Sequence, residues 1–155
     1  MAAKVTSLKD QLTGACSELL PMFGLEHKFM CELSEKVLSS GDEINILIGL
    51  TKGLAGSIVV GLTNEAALKI ISGMMGGAEV LELDDMGRSA LSEFTNMLGG
   101  NTVGRVAAEL NELVDISPPT IVTGTKMFLM ISRIPSKKLF FKLGDTKFNI
   151  AYCLE

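Results

Sequence analysis

The sequence predicts an α+β fold in which helices pack on a largely antiparallel β-sheet. Three stretches repeat their apolar residues with the helical period, whereas the part after Pro118 and Pro119 consists of short β-rich runs divided by turn residues. Hydrophobic residues make up 47% of the 155 residues and charged residues 21%, which is typical of a chain with a large core. The length fits one domain, so we expect residues 1–155 to form a single unit.

The first part of the chain begins with a helical pattern and continues with strand patterns. Leucines recur on one side of the first segment, and Pro21 closes that run. Lys52 and Gly53 form a turn between two apolar, β-branched runs, which together predict a hairpin. The predicted elements are a helix over about residues 6–20, a strand over about 27–38, and hairpin strands over 44–51 and 56–62.

Two helices and a second group of strands follow. Thr63 and Asn64 are good N-cap residues for a helix that ends near residue 75, and Asp84 and Asp85 begin a longer helix that keeps its period to about residue 113. Pro118 and Pro119 end the helical pattern. The strands predicted after them cover residues 121–123, 127–134, 139–143 and 148–153.

The charge balance excludes several classes of function. The formal net charge of −4 argues against a nucleic-acid groove, which needs a basic stripe. Lys137, Lys138 and Lys142 are interpreted as the solvated face of a strand pair. The start of the chain does not resemble a signal peptide and no apolar run is long enough to span a membrane, so we expect a cytoplasmic protein without membrane insertion.

Cysteine and histidine usage argues against a metal site. The three cysteines, Cys16, Cys31 and Cys153, are widely spaced among apolar neighbours, which favours reduced, buried thiols. His27 is the only histidine, and the chain has no CxxC pair, so a zinc site lacks ligands. We interpret His27 as a surface loop residue and expect no metal bound by this chain alone.

The most informative feature is a polar stripe on the long predicted helix. At about 100° per residue, Ser89, Glu93, Asn96 and Gly100 fall within a narrow arc of one another. Apolar residues occupy the opposite arc, which we expect to face the core. Polar residues are common on the solvent-exposed face of an amphipathic helix, so this pattern taken alone is weak evidence of a functional site. The apolar residues are Ala90, Leu91, Phe94, Met97 and Leu98.

The spacing from Ser89 to Pro119 resembles the signature of a known family. Ser89, Glu93 and Asn96, followed by Pro119 after twenty-two residues, match the pattern of the CheC, CheX and FliY phosphatases of bacterial chemotaxis. The flanking stretch from about Gly53 to Gly124 looks most like the CheX members, which carry one active helix. The first helix carries Asp10, Gly14 and Ser17 at the corresponding places, without the glutamate and the asparagine, which favours the one-site form.

This resemblance implies a CheC-like fold and a phosphatase that hydrolyses the aspartyl phosphate of a CheY-type receiver domain. It implies that Asn96 positions the attacking water, because a neutral amide approaches a phosphoryl group without charge repulsion. Glu93 would pair with the active-site lysine of the receiver, and Ser89 and Gly100 would contact the partner. The Mg²⁺ would come with the phosphorylated receiver, so the chain would need no cofactor of its own.

The resemblance also suggests a homodimer. Two other functions stay open: a non-catalytic domain that binds a receiver or another signalling protein through the same helix face, and a purely structural oligomerisation domain. The structural alternative leaves the combination of Glu93, Asn96 and Pro119 unexplained.

Overall fold

The computed structural model describes residues 8–155, and within them three α-helices and nine β-strands follow one another along the chain. The helices are α1 (Leu8–Leu19), α2 (Asn64–Met74) and α3 (Asp85–Leu110), and a short 3₁₀ turn, Leu20–Phe23, follows α1. The strands are β1 (His27–Ser34), β2 (Ser39–Ser40), β3 (Ile44–Lys52), β4 (Gly56–Leu62), β5 (Asp115–Ile116), β6 (Thr120–Thr123), β7 (Phe128–Leu129), β8 (Lys137–Leu143) and β9 (Thr146–Leu154).

Seven of these strands form one antiparallel sheet. Its order is β1-β8-β9-β4-β3, and both β5 and β6 pair with the free edge of β3. Strand β6 covers residues 44–47 of β3, and β5 covers the far end near Leu50 and Lys52. The remaining strands, β2 and β7, pair with each other in a small separate sheet. The predicted α+β fold with a largely antiparallel sheet is confirmed.

The apolar faces predicted for α1 and α3 are confirmed in the core. Leu12, Ala15 and Cys16 of α1 are fully buried, and so are Leu91 and Phe94 of α3. The helices pack against alternate residues of the strands, because successive strand residues point to opposite faces of a sheet. Burying one large apolar side chain stabilises a fold by about 1.5–3 kcal/mol, so these faces supply much of the stability. The sheet residues of this core include Ile46, Ile48, Ile58, Val60, Leu139, Phe141 and Ile150.

Some predicted boundaries are wrong. The strand expected over residues 127–134 is reduced to Phe128–Leu129, since its partner β2 has only two residues to pair with. The strand expected over 27–38 ends at Ser34, and α3 ends at Leu110, where Asn111 adopts a left-handed conformation with φ of 54°. Gly99 and Gly100 do not interrupt α3. The predicted start of α1 at Thr6 lies outside the described residues.

Three predictions about single side chains are also wrong. Lys138 is not solvated: it is buried, donates a hydrogen bond to the Ser40 carbonyl at 3.3 Å, and lies 3.6 Å from a carboxylate oxygen of Glu35. Cys31 is exposed on the edge strand β1, whereas Cys16 and Cys153 are buried as expected. Burial raises the pKa of Cys16 to about 12. His27 begins β1 and does not lie in a loop.

Helices α1 and α3 pack antiparallel through polar contacts as well as apolar ones. The Gln11 amide donates to Glu109 at 2.9 Å at one end. At the other end, the Glu18 carboxylate accepts from Arg105 at 2.7 Å and from Asn101 at 3.1 Å. These hydrogen bonds, that of Asn101 first, lower the pKa of Glu18 below its usual range. They fix the position of α1 along α3.

Gly99 lies where α3 packs tightly against the sheet. A Cβ atom at this position would lie 2.5 Å from Cδ1 of Ile48 and 3.1 Å from Cδ1 of Ile116. An added methyl group would require the side chains of Ile48 and Ile116 to shift within the packed core. The neighbouring Gly100 faces open space, where a Cβ atom would have no neighbour within 4 Å.

The contrast between these two glycines gives a stability test. We expect Gly99→Ala to destabilise the fold by about 1–3 kcal/mol, because the added methyl group overpacks the contact with Ile48 and Ile116. The matched control Gly100→Ala should leave stability unchanged or raise it by up to about 1 kcal/mol, since alanine favours the helix. Urea unfolding followed by circular dichroism measures both free energies. Equal effects of the two substitutions would contradict this packing.

Candidate functional site

Helix α3 separates a buried face from a polar one. Asp84 caps its N-terminus by accepting a hydrogen bond from the Gly87 amide at 2.8 Å, and the helix continues without a break to Leu110. Leu91, Phe94 and Leu98 are at most 1% exposed. The opposite stripe is exposed along its whole length, as the sequence predicts. It consists of Ser89, Glu93, Asn96 and Gly100.

A second element, the segment 115–119, forms a wall beside this stripe. The Ser117 side chain accepts a hydrogen bond from the Gly49 amide at 2.8 Å, and the Ser117 amide donates to the Gly49 carbonyl at 2.9 Å. Pro118 and Pro119 have no N–H group and cannot extend this pairing, so the chain leaves β3 between β5 and β6. The two hydrogen bonds at Gly49 therefore hold the wall against the sheet.

The stripe and the wall enclose an open cleft of about 630 Å³. Ser89, Glu93, Asn96 and Pro119, which lie up to thirty residues apart in sequence, all line it. Gly100 is not among the lining residues and lies one helical turn beyond Asn96. The other residues that line the cleft are Arg88, Ser92, Asp115, Ile116, Ser117 and Pro118.

Glu93 and Asn96 are arranged for contact with an external molecule. Both are exposed, and neither side chain forms a hydrogen bond or an ion pair with any residue in the described part of the chain. A carboxylate offers a negative charge and acceptors only, whereas the amide of asparagine offers an acceptor and two donors. The two side chains lie one helical turn apart, so one bound group can contact both.

Within residues 8–155, no group of three or more histidine, cysteine, aspartate or glutamate side chains is placed to hold a metal ion. The cleft carboxylates Glu93 and Asp115 therefore do not form a metal site with a third ligand of these types.

Among residues 8–155, each helix is too short or too polar to span a lipid bilayer.

Helix α1 does not repeat this arrangement. Gly14 occupies the place that corresponds to Glu93, and a Cβ atom there would lie 2.8 Å from an Nη atom of Arg105. Arg105 in turn pairs with Glu18 at 2.7 Å. A longer side chain at residue 14 would displace this ion pair. The polar contacts between α1 and α3 therefore occupy the position where a second glutamate would stand.

Sequence reasoning missed four polar residues of the cleft: Arg88, Ser92, Asp115 and Ser117. The helical angles of Arg88 and Ser92 place them to one side of the stripe, and this side becomes important only once the position of the wall is known. Asp115 and Ser117 lie within the stretch from about Gly53 to Gly124, where no helical or strand period marks them. The two-residue strand β5 has no periodic signal that could have revealed the wall.

Solved structures share this fold. CheX from Desulfovibrio desulfuricans superposes with a TM-score of 0.82 at 22% identity, over 96% of this chain and 99% of that one. A chain of the CheX–CheY–BeF3–Mg²⁺ complex from Borrelia burgdorferi gives a TM-score of 0.71 at 25% identity, over 96% and 95% of the two chains. The architecture is therefore that of the CheX class of chemotaxis proteins.

Sequence comparison identifies the family. The family model described as chemotaxis phosphatase CheX matches residues 44–136, which are more than half of the chain and include Glu93, Asn96 and Pro119. The CheY-P phosphatase CheX of Thermotoga maritima is 42% identical over 96 residues, which span 57% of this chain and 59% of that protein. The chain belongs to the CheX family.

The wall of the cleft gives a second stability test. We expect Ser117→Ala to destabilise the fold by about 0.5–1.5 kcal/mol, because the Gly49 amide loses its acceptor. Ser92→Ala is the matched control: its side chain lines the same cleft but forms no hydrogen bond in the described part of the chain, so stability should change little. Thermal unfolding measures both effects. A Ser92→Ala variant as unstable as Ser117→Ala would show that the Gly49 contact does not hold the wall.

Proposed function

We propose that this protein is a phosphatase that accelerates hydrolysis of the aspartyl phosphate of a CheY-type receiver domain. The observation that carries the proposal is the pair of exposed, unpartnered side chains, Glu93 and Asn96, in a cleft that also contains Pro119. The relative from Thermotoga maritima is named a CheY-P phosphatase, and the Borrelia burgdorferi relative has been solved in complex with CheY, BeF3 and Mg²⁺. We also propose that the protein is cytoplasmic and forms a single domain, as expected from the sequence.

Asn96 positions the attacking water in this proposal. Phosphoryl transfer depends on in-line placement of the nucleophile and on charge neutralisation more than on covalent help from the enzyme. The Asn96 amide can accept from a water molecule and donate to it or to a phosphoryl oxygen at the same time. Because the amide is neutral, it does not repel the phosphoryl group, as a carboxylate at the same position would.

Glu93 docks the receiver. A carboxylate one turn from Asn96 is placed to pair with the lysine of the receiver's active site, and the interface would shield this pair from water. Ser89 and Gly100 extend the contact on either side. Gly100 offers bare backbone in open space, which lets a partner loop approach the helix closely.

The receiver supplies the rest of the active site. Mg²⁺ and the lysine come with the phosphorylated partner, and the Borrelia burgdorferi complex contains Mg²⁺ together with CheY. We therefore propose that this chain needs no cofactor of its own. Its contribution is to place an amide and a carboxylate against a site that is already charged and metal-bound.

The test is release of phosphate from a phosphorylated CheY-type receiver of the same cell, with Mg²⁺ present. We expect Asn96→Ala to return the decay to the receiver's own rate with little change in binding, because water loses its positioning group. We expect Glu93→Ala to raise the half-saturating concentration by roughly tenfold or more, because the docking charge pair is lost.

Asn64→Ala and Glu65→Ala are matched controls, since both residues are exposed on α2 and neither lines the cleft. Both controls should keep wild-type activity. Equal decay with wild type and Asn96→Ala would exclude catalysis by this helix. If the wild type and Asn96→Ala then still bind the phosphorylated receiver, the protein is a non-catalytic domain that binds receivers.

We also propose a homodimer. The small sheet of β2 and β7 exposes a group of large apolar side chains: Leu38, Phe128 and Met130 are 58%, 66% and 66% exposed. The register pairs Ser39 with Leu129, which places Leu38 and Met130 beside each other at one end of this sheet. Exposed apolar side chains grouped in this way are typical of a surface that is covered in solution. A second copy of the chain is the occupant that the resemblance favours.

Light scattering after gel filtration tests the dimer. We expect a mass about twice 16.5 kDa for the wild type and a shift toward the monomer for Phe128→Glu, because a charge would be buried without a partner. Met22→Glu is the control, since Met22 is 69% exposed and lies on the 3₁₀ turn. A wild-type mass near 16.5 kDa at micromolar concentration would contradict the dimer.

A further inference from the structure

Arg88 is the one cationic residue among those that line the cleft in the described chain. It is half-buried and shares the cleft with two carboxylates, Glu93 and Asp115. Its guanidinium group forms no ion pair and no side-chain hydrogen bond with any residue from 8 to 155. The positive charge of Arg88 is therefore available to a molecule that enters the cleft.

The position of Arg88 in α3 is unfavourable for the helix itself. The helix begins at Asp85, so Arg88 lies in its first turn. The N-terminus of a helix carries a partial positive charge that favours acidic residues and disfavours cations. Asp84 and Asp85 follow this rule, and Arg88 does not. Residues that break a local rule without a structural gain are commonly found at functional sites.

Distance separates the role of Arg88 from that of Asn96. Arg88 and Asn96 are eight positions apart, which at 1.5 Å per residue puts their Cα atoms about 12 Å apart along the helix axis. A phosphoryl group in contact with the Asn96 amide is therefore poorly placed for direct contact with the Arg88 guanidinium. Arg88 is better placed to contact the surface of the partner beside the phosphorylation site.

We propose that Arg88 is a docking residue that binds a carboxylate on the surface of the receiver, beside the phosphorylation site and not at the phosphoryl group itself. The proposal rests on the proposed phosphatase function, and it adds a specificity element to that site. A guanidinium group binds a carboxylate through two parallel hydrogen bonds, which lysine cannot reproduce. The cleft would thereby select receivers with an acidic residue at this place and disfavour those with a basic one.

The experiment measures binding and turnover separately. The dissociation constant is measured by fluorescence anisotropy with a labelled CheY-type receiver of the same cell, activated by BeF3 and Mg²⁺. Turnover is measured as phosphate release from the phosphorylated receiver. We expect Arg88→Ala to raise the dissociation constant and the half-saturating concentration by about three- to tenfold, with less than a twofold change in the saturated rate. The salt dependence of binding should also become weaker.

Two further variants make the result specific to the guanidinium group. Arg88→Lys should recover part of the lost affinity, because it keeps the charge but not the paired hydrogen bonds. Lys147→Ala is the control for loss of one positive charge, since Lys147 is exposed and does not line the cleft. It should leave binding unchanged. The melting temperature of Arg88→Ala should equal or exceed that of the wild type, which separates weaker docking from loss of the fold.

The outcomes distinguish this proposal from the phosphatase function. An unchanged dissociation constant for Arg88→Ala would overturn the docking role, and so would a fall in the saturated rate as large as that of Asn96→Ala. If the wild type binds the activated receiver but does not accelerate phosphate release, the phosphatase function fails and the docking role is still decided by the dissociation constants. If the wild type binds no receiver, both proposals are overturned.

Discussion

The packing of α3 on β3 at Gly99 determines the geometry of everything around the cleft. Because residue 99 has no side chain, the helix approaches Ile48 and Ile116 so closely that an added Cβ atom would require these side chains to shift. The same approach buries Leu91, Phe94 and Leu98 and so fixes the rotation of the helix about its axis. With that rotation set, the stripe that contains Glu93 and Asn96 faces outward, beside the segment 115–119. The hydrogen bonds of Ser117 to Gly49 then hold this segment in place from the same strand.

The composition of the cleft is compatible with the proposed action on the active site of another protein. It offers an amide, two carboxylates and one guanidinium group in an open cleft of about 630 Å³. Histidine is absent from the cleft, and so is a cluster of metal ligands among residues 8–155. Under the proposed function the receiver contributes the electrophile, the metal and the lysine, so this chain needs only to place water and to dock the partner.

The sequence predicted the stripe well because a helix of 3.6 residues per turn fixes the relative directions of Ser89, Glu93 and Asn96 from their spacing alone. The buried face of α3 followed from the same rule. The sequence could not predict the wall, because β5 has only two residues and its pairing with β3 depends on contacts remote in the chain. It also misjudged Lys138, whose charge is buried because Glu35 and the Ser40 carbonyl are brought to it by the fold. Such tertiary partners leave no periodic pattern in the sequence.

In the proposed function, Asn96 contacts the phosphoryl site of a bound receiver. The most direct measurement is the ¹⁵N NMR signal of the Asn96 side-chain amide, assigned by comparison with Asn96→Ala and followed during titration with a receiver activated by BeF3 and Mg²⁺. We expect a large shift or broadening of this signal and a smaller response to the unactivated receiver. If the Asn96 signal stays unchanged while signals from α1 or the β2–β7 sheet respond, the receiver binds elsewhere. That result would contradict the proposed role of Asn96.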